Sequence, residues 1–433
     1  MATATRVAAR AHTRAEGAGL VVAVGAVLVA VAAVWGARLD RVGHGIGVHA
    51  APLFGAASNR LGAVVIVPVG IACLLIWRGK ELAERLDWRH LLAGAFFATI
   101  AWGIALALVD HGAADGLLRG VRSPFDFLAN VQHVGSPGTF VDQFVERIED
   151  NVVHVRGHPP ALVVTLWWMQ RIGLAGAVPL ALLAMAAGGV AVVAALYACR
   201  EVAGEAAARR AAPFLVMSPA AIWLVTSADA IYAGMGAAGA AAIVVATGRR
   251  SDTLSAIGGL LLGAGLFMSY GLLLLLVVPC AVAIARRHVR PLVVAGLAMT
   301  TVGAVFAMFG FSWIDGALAT RAEYAASIAA ARPYGYFLLA NIAAFAIVIG
   351  PGPLGGLGAL RDRRVWLLVG AALAAVLAAD LSGMSKGEVE RIWLPFWPWA
   401  ALAAAGLSSR IRMWLGAQAV LAIGIQTFIG TPW

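Results

Sequence analysis

From Asp110 to Pro160 the chain reads DHGAADGLLRGVRSPFDFLANVQHVGSPGTFVDQFVERIEDNVVHVRGHPP, the one long polar interruption in an otherwise apolar sequence. Asp110, Asp115, Asp126, Asp142, Glu146, Glu149 and Asp150 are carboxylates able to accept a proton, and His133, His154, Arg156 and His158 are groups able to hold an anion. Long ordered connections between apolar segments are commonly functional, so the stretch reads as the wall of an active site. Further polar residues sit at the ends of other apolar runs: Asp229 in TSADAIY, Tyr270 in MSYG, and Lys386, Glu388, Glu390 and Arg391 in SKGEVERIW. Charges at membrane depth are costly and tend to mark pathways or sites, and these gather at one face of the chain as it is traced below.

Plainer readings stand beside the chemical ones. Asp110 can simply close a helix at an interface, and Glu388, Glu390 and Arg391 can pair among themselves. His154 and His158 have metal-ligand spacing only if helical, Pro159 interrupts a helix there, and no third ligand is evident, so no metal or other cofactor is expected. Asp142, Glu146, Glu149 and Asp150 fit the solvated face of an amphipathic helix with Phe140, Phe144 and Ile148 opposite. Trp167 and Trp168 fit interface anchors.

The elements that must position these residues follow from composition. With 61% hydrophobic and 12% charged residues and a mean hydropathy of +0.87, the chain lies outside the range of soluble domains. Its apolar runs are continuous rather than alternating, which predicts an all-α polytopic transmembrane bundle, not a barrel. The length rule gives about 13 spans in a single domain over 1–433, with short amphipathic helices in the 110–160 loop. The apolar stretch from Pro160 to Ile172 is short and carries Arg171, which predicts a re-entrant or half-buried helix. The run from Gly17 to Ala37 is long for a signal peptide and reads as a retained first span.

Charge distribution sets the expected orientation. Arg6, Arg10 and Arg14 precede the first span, and further basic residues fall in alternate loops at Arg78 to Arg89, Arg200 to Arg210, Arg249 and Arg250, Arg286 to Arg290, Arg361 to Arg364, and Arg410 and Arg412. Basic loops stay cytoplasmic, so the N-terminus is expected inside a plasma membrane and the 110–160 loop outside it. The net charge of +10 is thereby a membrane signal rather than a nucleic-acid one. Cys73, Cys199 and Cys280 lie in or beside apolar runs, and neither a disulfide framework nor a cysteine metal site is expected.

An aspartate closing a span, a long loop with amphipathic character and a His-Pro-Pro entry to the next helix together resemble the polyprenyl-phosphate-sugar-dependent glycosyltransferases of the GT-C superfamily. The resemblance lies in layout across most of the chain, with VHVRGHPPA and SKGEVERIW its most distinctive residues; related enzymes carry an acidic pair where this chain has Asp110-His111. It implies transfer of a sugar from a polyprenyl-phosphate donor, within membrane lipid, to a lipid, glycan or protein acceptor. It makes Asp110 and Asp126 the candidate catalytic carboxylates. Glycosyl transfer also needs a cation for the departing phosphate, which Arg156, His158, Lys386 and Arg391 can supply, with His154, Asp229, Tyr270, Glu388 and Glu390 as further substrate-binding candidates.

Two other functions share parts of this pattern. A secondary transporter would line its path with intramembrane charges and show broken helices at matching positions of two halves. A flippase or assembly factor for lipid-linked sugars would share the basic face and the groove without needing a placed carboxylate.

Overall fold

A computed structural model describes residues 2–43, 45–110 and 113–433, with side chains described throughout these except at 2–14, 113 and 114. His44 and His111, and the side chains of Arg6, Arg10 and Arg14, lie outside what is described.

The chain is a helical bundle. Among the described residues, seven helices are long and apolar enough to cross a membrane: Ala15–Arg41, Ala63–Arg85, Trp88–Ala107, Ala177–Ala203, Asp229–Arg249, Arg290–Met308 and Arg363–Leu381. A bent pair, Tyr334–Ile349 with Pro351–Ala359, passes the same test as one unit with a 98° bend, and Asp252–Leu266 and Leu272–Ala285 are shorter apolar helices. Polar residues start several of these helices by capping free amides: Asp87 accepts from the His90 amide, Ser251 from Leu254, and Asp362 from Arg364.

The Asp229–Arg249 helix is the centre of the bundle, flanked by Ala177–Ala203 and Asp252–Leu266. Small residues permit this approach. A Cβ on Gly258 would stand 2.7 Å from the Gly239 carbonyl oxygen, whereas the adjacent Gly259 faces Ala295 of the Arg290–Met308 helix. Two consecutive glycines thus serve two neighbours, as expected where helices associate by close contact in lipid rather than by a hydrophobic drive.

Two interruptions meet inside the bundle. The Glu205–Val216 helix stops before Pro219 and resumes as Ala221–Leu224, and the bent pair breaks at Gly350, whose φ is +84°. Carbonyls freed there are recaptured by side chains. Ser218 Oγ donates to the Val348 oxygen at 3.0 Å, and Gln418 Nε2 donates to Phe214 and Met217 oxygens at 3.0 and 3.2 Å. Trp102 Nε1 donates to the Ser218 oxygen at 3.2 Å and Trp397 Nε1 to Ser218 Oγ at 2.8 Å. Non-helical backbone at membrane depth is tolerated only with such partners.

The two ends of the bundle differ in chemistry. At one end arginines cap helix C-termini: Arg209 donates to the carbonyls of Ala83 and Leu86, and Arg286 to that of Glu201. At the other end, residues 108–160 fold into short helices at Ala113–Leu118, Phe127–Val131, Pro137–Asp142 and Val153–Arg156, with a 3-10 turn at Ile148–Asp150. An antiparallel pairing of Ala56–Ala57 with Ile429–Gly430 closes the same end.

Local differences from the sequence reading have physical causes. The expected span from Leu174 begins only at Ala177, because Gly173 and Gly176, both at positive φ, hold a turn between the 11-residue Ala161–Arg171 helix and Ala177–Ala203. The acids at 142–150 do not share one helix, because the Pro137–Asp142 helix ends and a 3-10 turn follows. Phe144 and Ile148 are nonetheless buried while Asp142, Glu146, Glu149 and Asp150 are exposed.

Candidate functional site

The residues that converge most tightly come from four distant segments. The short Val389–Ile392 helix carries Arg391, whose Nη1 lies 2.7 Å from Asp229 Oδ2 at the start of the central helix, while its Nη2 bonds the Glu388 carboxylate. Ser227 Oγ donates to the same Asp229 oxygen at 2.7 Å. Nη2 also lies 3.3 Å from His154 Nε2, from the loop, and the guanidinium sits 4.0 Å from the centre of the Trp433 ring. Arg391 is buried; Asp229 and Glu388 outweigh that burial and hold its pKa above the usual arginine value.

The His154 contact assigns a tautomer. Arginine has only donors, so Nε2 must accept, and the ring proton belongs on Nδ1. That Nδ1 faces Asp126 Oδ1 at 3.9 Å, an electrostatic contact too long for a hydrogen bond. Asp126 is itself fixed, capping the Phe127–Val131 helix by accepting from the Phe127 amide at 2.6 Å. His158 donates through Nδ1 to the His154 carbonyl at 2.8 Å and stacks on Tyr232 at 5.3 Å. Burial lowers the His158 pKa below its ordinary value, against the opposing pull of Asp229.

Glu390 is fully buried. Its Oε1 accepts from the Phe54 amide at 2.8 Å, and burial pushes its pKa up to about 7. Phe54 in turn lies 6.2 Å from the Trp433 ring. Glu388 has a φ of +61°, a left-handed conformation that costs a non-glycine residue free energy and marks a constrained site. His154 Nδ1, Tyr232 Oη, Glu390 Oε2, Arg391 Nε and Trp433 Nε1 are buried without a hydrogen-bond partner. Such unmet capacity around one guanidinium is what a polar ligand or ordered water would satisfy.

The remaining candidates occupy other places. Asp110 is buried and paired with Arg60 at 3.0 Å and Arg119 at 3.4 Å, while Arg60 also donates to the Gln426 and Ile429 carbonyls. Arg156 turns to Glu323 at 3.4 Å and to the Asn151 carbonyl at 2.7 Å. Tyr270 packs at 5.2 Å from Trp313, and Lys386 Nζ donates to the Ala330 carbonyl at 2.8 Å. Of the proposed pairing among Glu388, Glu390 and Arg391, only Glu388 with Arg391 forms; Glu390 serves Phe54 instead. Trp167 Nε1 donates to the Val134 carbonyl at 3.0 Å, which ties Ala161–Arg171 to the loop.

Sequence reasoning missed Trp433, Tyr232 and Arg60. Tyr232 follows Asp229 by three positions, one helical turn, and that spacing is a signal available in TSADAIY. Trp433 and Arg60 have no such local signal. No family model matches the chain, and no curated protein is significantly similar to it.

Proposed function

We propose that the protein is a membrane glycosyltransferase that moves a sugar from a polyprenyl-phosphate donor to a lipid, glycan or protein acceptor on the extracytoplasmic face. The observation that carries this reading is the meeting of Asp126, His154, His158, Asp229 and Arg391 at one end of the bundle, beside the long loop. In the proposed reaction the acceptor oxygen attacks the anomeric carbon and the sugar-to-phosphate bond breaks. Asp126, with His154 beside it, takes the acceptor's proton. Arg391 stabilises the departing phosphate, which displaces Glu388 from its Nη2. Asp110 is a positioning residue in this scheme, because Arg60 and Arg119 already pair with its carboxylate.

The same reading places thirteen crossings in the membrane: the seven long helices, the bent pair, the two shorter apolar helices, Glu205–Leu224, the helical run over 392–407 and Ile411–Phe428. Ala161–Arg171 lies along the membrane surface. With Ala161–Arg171 on the surface, one crossing, Ala177–Ala203, separates His158 from Arg200, and the basic loops then all fall on the side of the N-terminus, which is the cytoplasmic side of a plasma membrane by their charge.

Broken helices favour a transporter as the rival reading. The two interruptions described above pack against each other, however, and side chains of Ser218, Gln418 and Trp102 bind carbonyls freed there, so the breaks have a structural role of their own. The deciding experiment reconstitutes the purified protein in lipid nanodiscs with radiolabelled polyprenyl-phosphate hexoses and pentoses and a lipid extract as acceptor source. Labelled product is expected. No product, together with passage of label across proteoliposomes, would replace transfer with transport.

A further inference from the structure

A cavity of about 410 Å³ lies within the loop itself, apart from the Arg391 cluster, and is lined by residues of the 130–151 stretch. Its size falls in the range of small-molecule sites, roughly 300–1,000 Å³. Its floor is built from asparagines that are not free to serve a ligand fully. Asn130 Nδ2 donates to Asn151 Oδ1 at 2.9 Å, and Asn130 Oδ1 accepts from the Val152 amide at 2.9 Å. Both are buried, and they make that floor rigid.

The walls carry the recognition chemistry. Ser136, Thr139, Gln143 and His133 present donors and acceptors, and the half-buried Phe140, packed on the fully buried Phe144, presents apolar surface. Charge is balanced: Arg147 Nε bonds Asp150 Oδ2 at 2.9 Å, and both line the cavity. A site for phosphate or another anion would hold an unmatched cation. This one offers hydroxyl, amide and imidazole groups beside aromatic faces, the combination that suits a neutral molecule with hydroxyls on one side and C–H surface on the other.

We propose that this cavity binds the carbohydrate part of the acceptor. The proposal rests on the glycosyl-transfer reading for its role, but the binding itself does not. The cavity is also joined to the candidate site. The Val152 amide held by Asn130 immediately precedes the Val153–Arg156 helix, so a sugar seated on the floor sits against the segment that aims His154 at Asp126 and Arg391.

The test uses ligand-observed NMR on the full-length protein in detergent, with methyl glycosides of common hexopyranoses and pentofuranoses, and inorganic phosphate as the charged control. At least one glycoside is expected to bind saturably, phosphate is not expected to displace it, and Thr139→Ala with Gln143→Ala is expected to weaken binding roughly tenfold, the loss of about 1.4 kcal/mol. A cavity-filling Thr139→Trp variant should abolish binding, and it covers the case in which the double variant does not fold. Absence of glycoside binding, binding unchanged in every folded variant, or displacement by phosphate overturns the proposal. Glycoside binding without any polyprenyl transfer would leave this site standing and remove the transfer reading; transfer with unaltered activity in Thr139→Trp would do the reverse.

Discussion

The Arg391 guanidinium lies 4.0 Å from the centre of the Trp433 ring while its Nη1 holds Asp229 at 2.7 Å, so one buried cation is gripped by an aromatic face and a carboxylate together. Taking a charge out of water is expensive, and the partners offset that cost only when all of them are present. Arg391→Ala leaves Asp229 and Glu388 without their cation and is expected to destabilise the fold by ~3–5 kcal/mol. Trp433→Leu keeps both carboxylate contacts and is expected to cost less, ~1–2 kcal/mol. Thermal unfolding in detergent ranks the two, and an equal or reversed order would show that Arg391 is not held in this way.

Asp126 and Asp110 are expected to separate in a direct comparison. Asp126→Asn keeps its shape and its cap on the Phe127 amide but loses the proton acceptor, so turnover should fall by roughly 10² to 10⁴ with little change in unfolding temperature. Asp110→Asn removes the carboxylate from Arg60, whose side chain is 11% exposed, and should lower stability by ~3 kcal/mol. Full transfer activity in Asp126→Asn would take the proton acceptor away from this residue.

Glu390 gives a pH dependence whose sign can be worked out. Its folded pKa, about 7, is raised above the ordinary 4.5, so the folded state binds the proton more tightly than the unfolded state does. Its contribution is therefore full below about pH 4.5 and is lost as pH rises to 7, by ~3 kcal/mol at 1.36 kcal/mol per pH unit. His158 works the other way, since its lowered pKa makes stability recover as pH rises toward 6.5. Glu390→Gln isolates the first effect: the difference between variant and wild type should grow from pH 5 to pH 7.5, read as unfolding temperature. A constant difference would mean that Glu390 ionises alike in both states.

Sidedness can be read with cysteine labelling. In a background lacking Cys73, Cys199 and Cys280, a cysteine at exposed Asp142 should react with an impermeant thiol reagent in intact cells, and one at exposed Glu84 should not. Labelling at Glu84 with protection at Asp142 would invert the proposed arrangement.

The parts of this molecule that were legible beforehand are those written in local pattern. Continuous apolar runs gave the helical bundle; the long loop singled out His154, and the polar ends of other runs singled out Asp229 and Arg391, three residues that the structure brings into contact. Hidden features depend on partners remote in sequence. Asp110 reads as a catalytic candidate until Arg60 is seen beside it, and nothing near residue 60 announces that pairing. The breaks at Ser218 and Gly350 blur into apolar runs because the groups that satisfy them, Gln418, Trp102 and Trp397, lie on other helices. The left-handed backbone at Glu388 is equally invisible, since a glutamate ordinarily signals helix.

The closure of the polar end by Ile429–Gly430 and Trp433 bears on how the protein is made. Chains emerge from the ribosome at about 5–20 residues per second, so Arg391 is synthesised a few seconds ahead of the indole that covers it. During that interval His154, Asp229 and Arg391 can already be threaded into the membrane, yet the strand partner of Ala56–Ala57 and the ring beneath the guanidinium do not exist. The aromatic cover of Arg391 thus waits on a segment synthesised after it, and a chain interrupted between the two would hold the guanidinium by Asp229 and Glu388 alone.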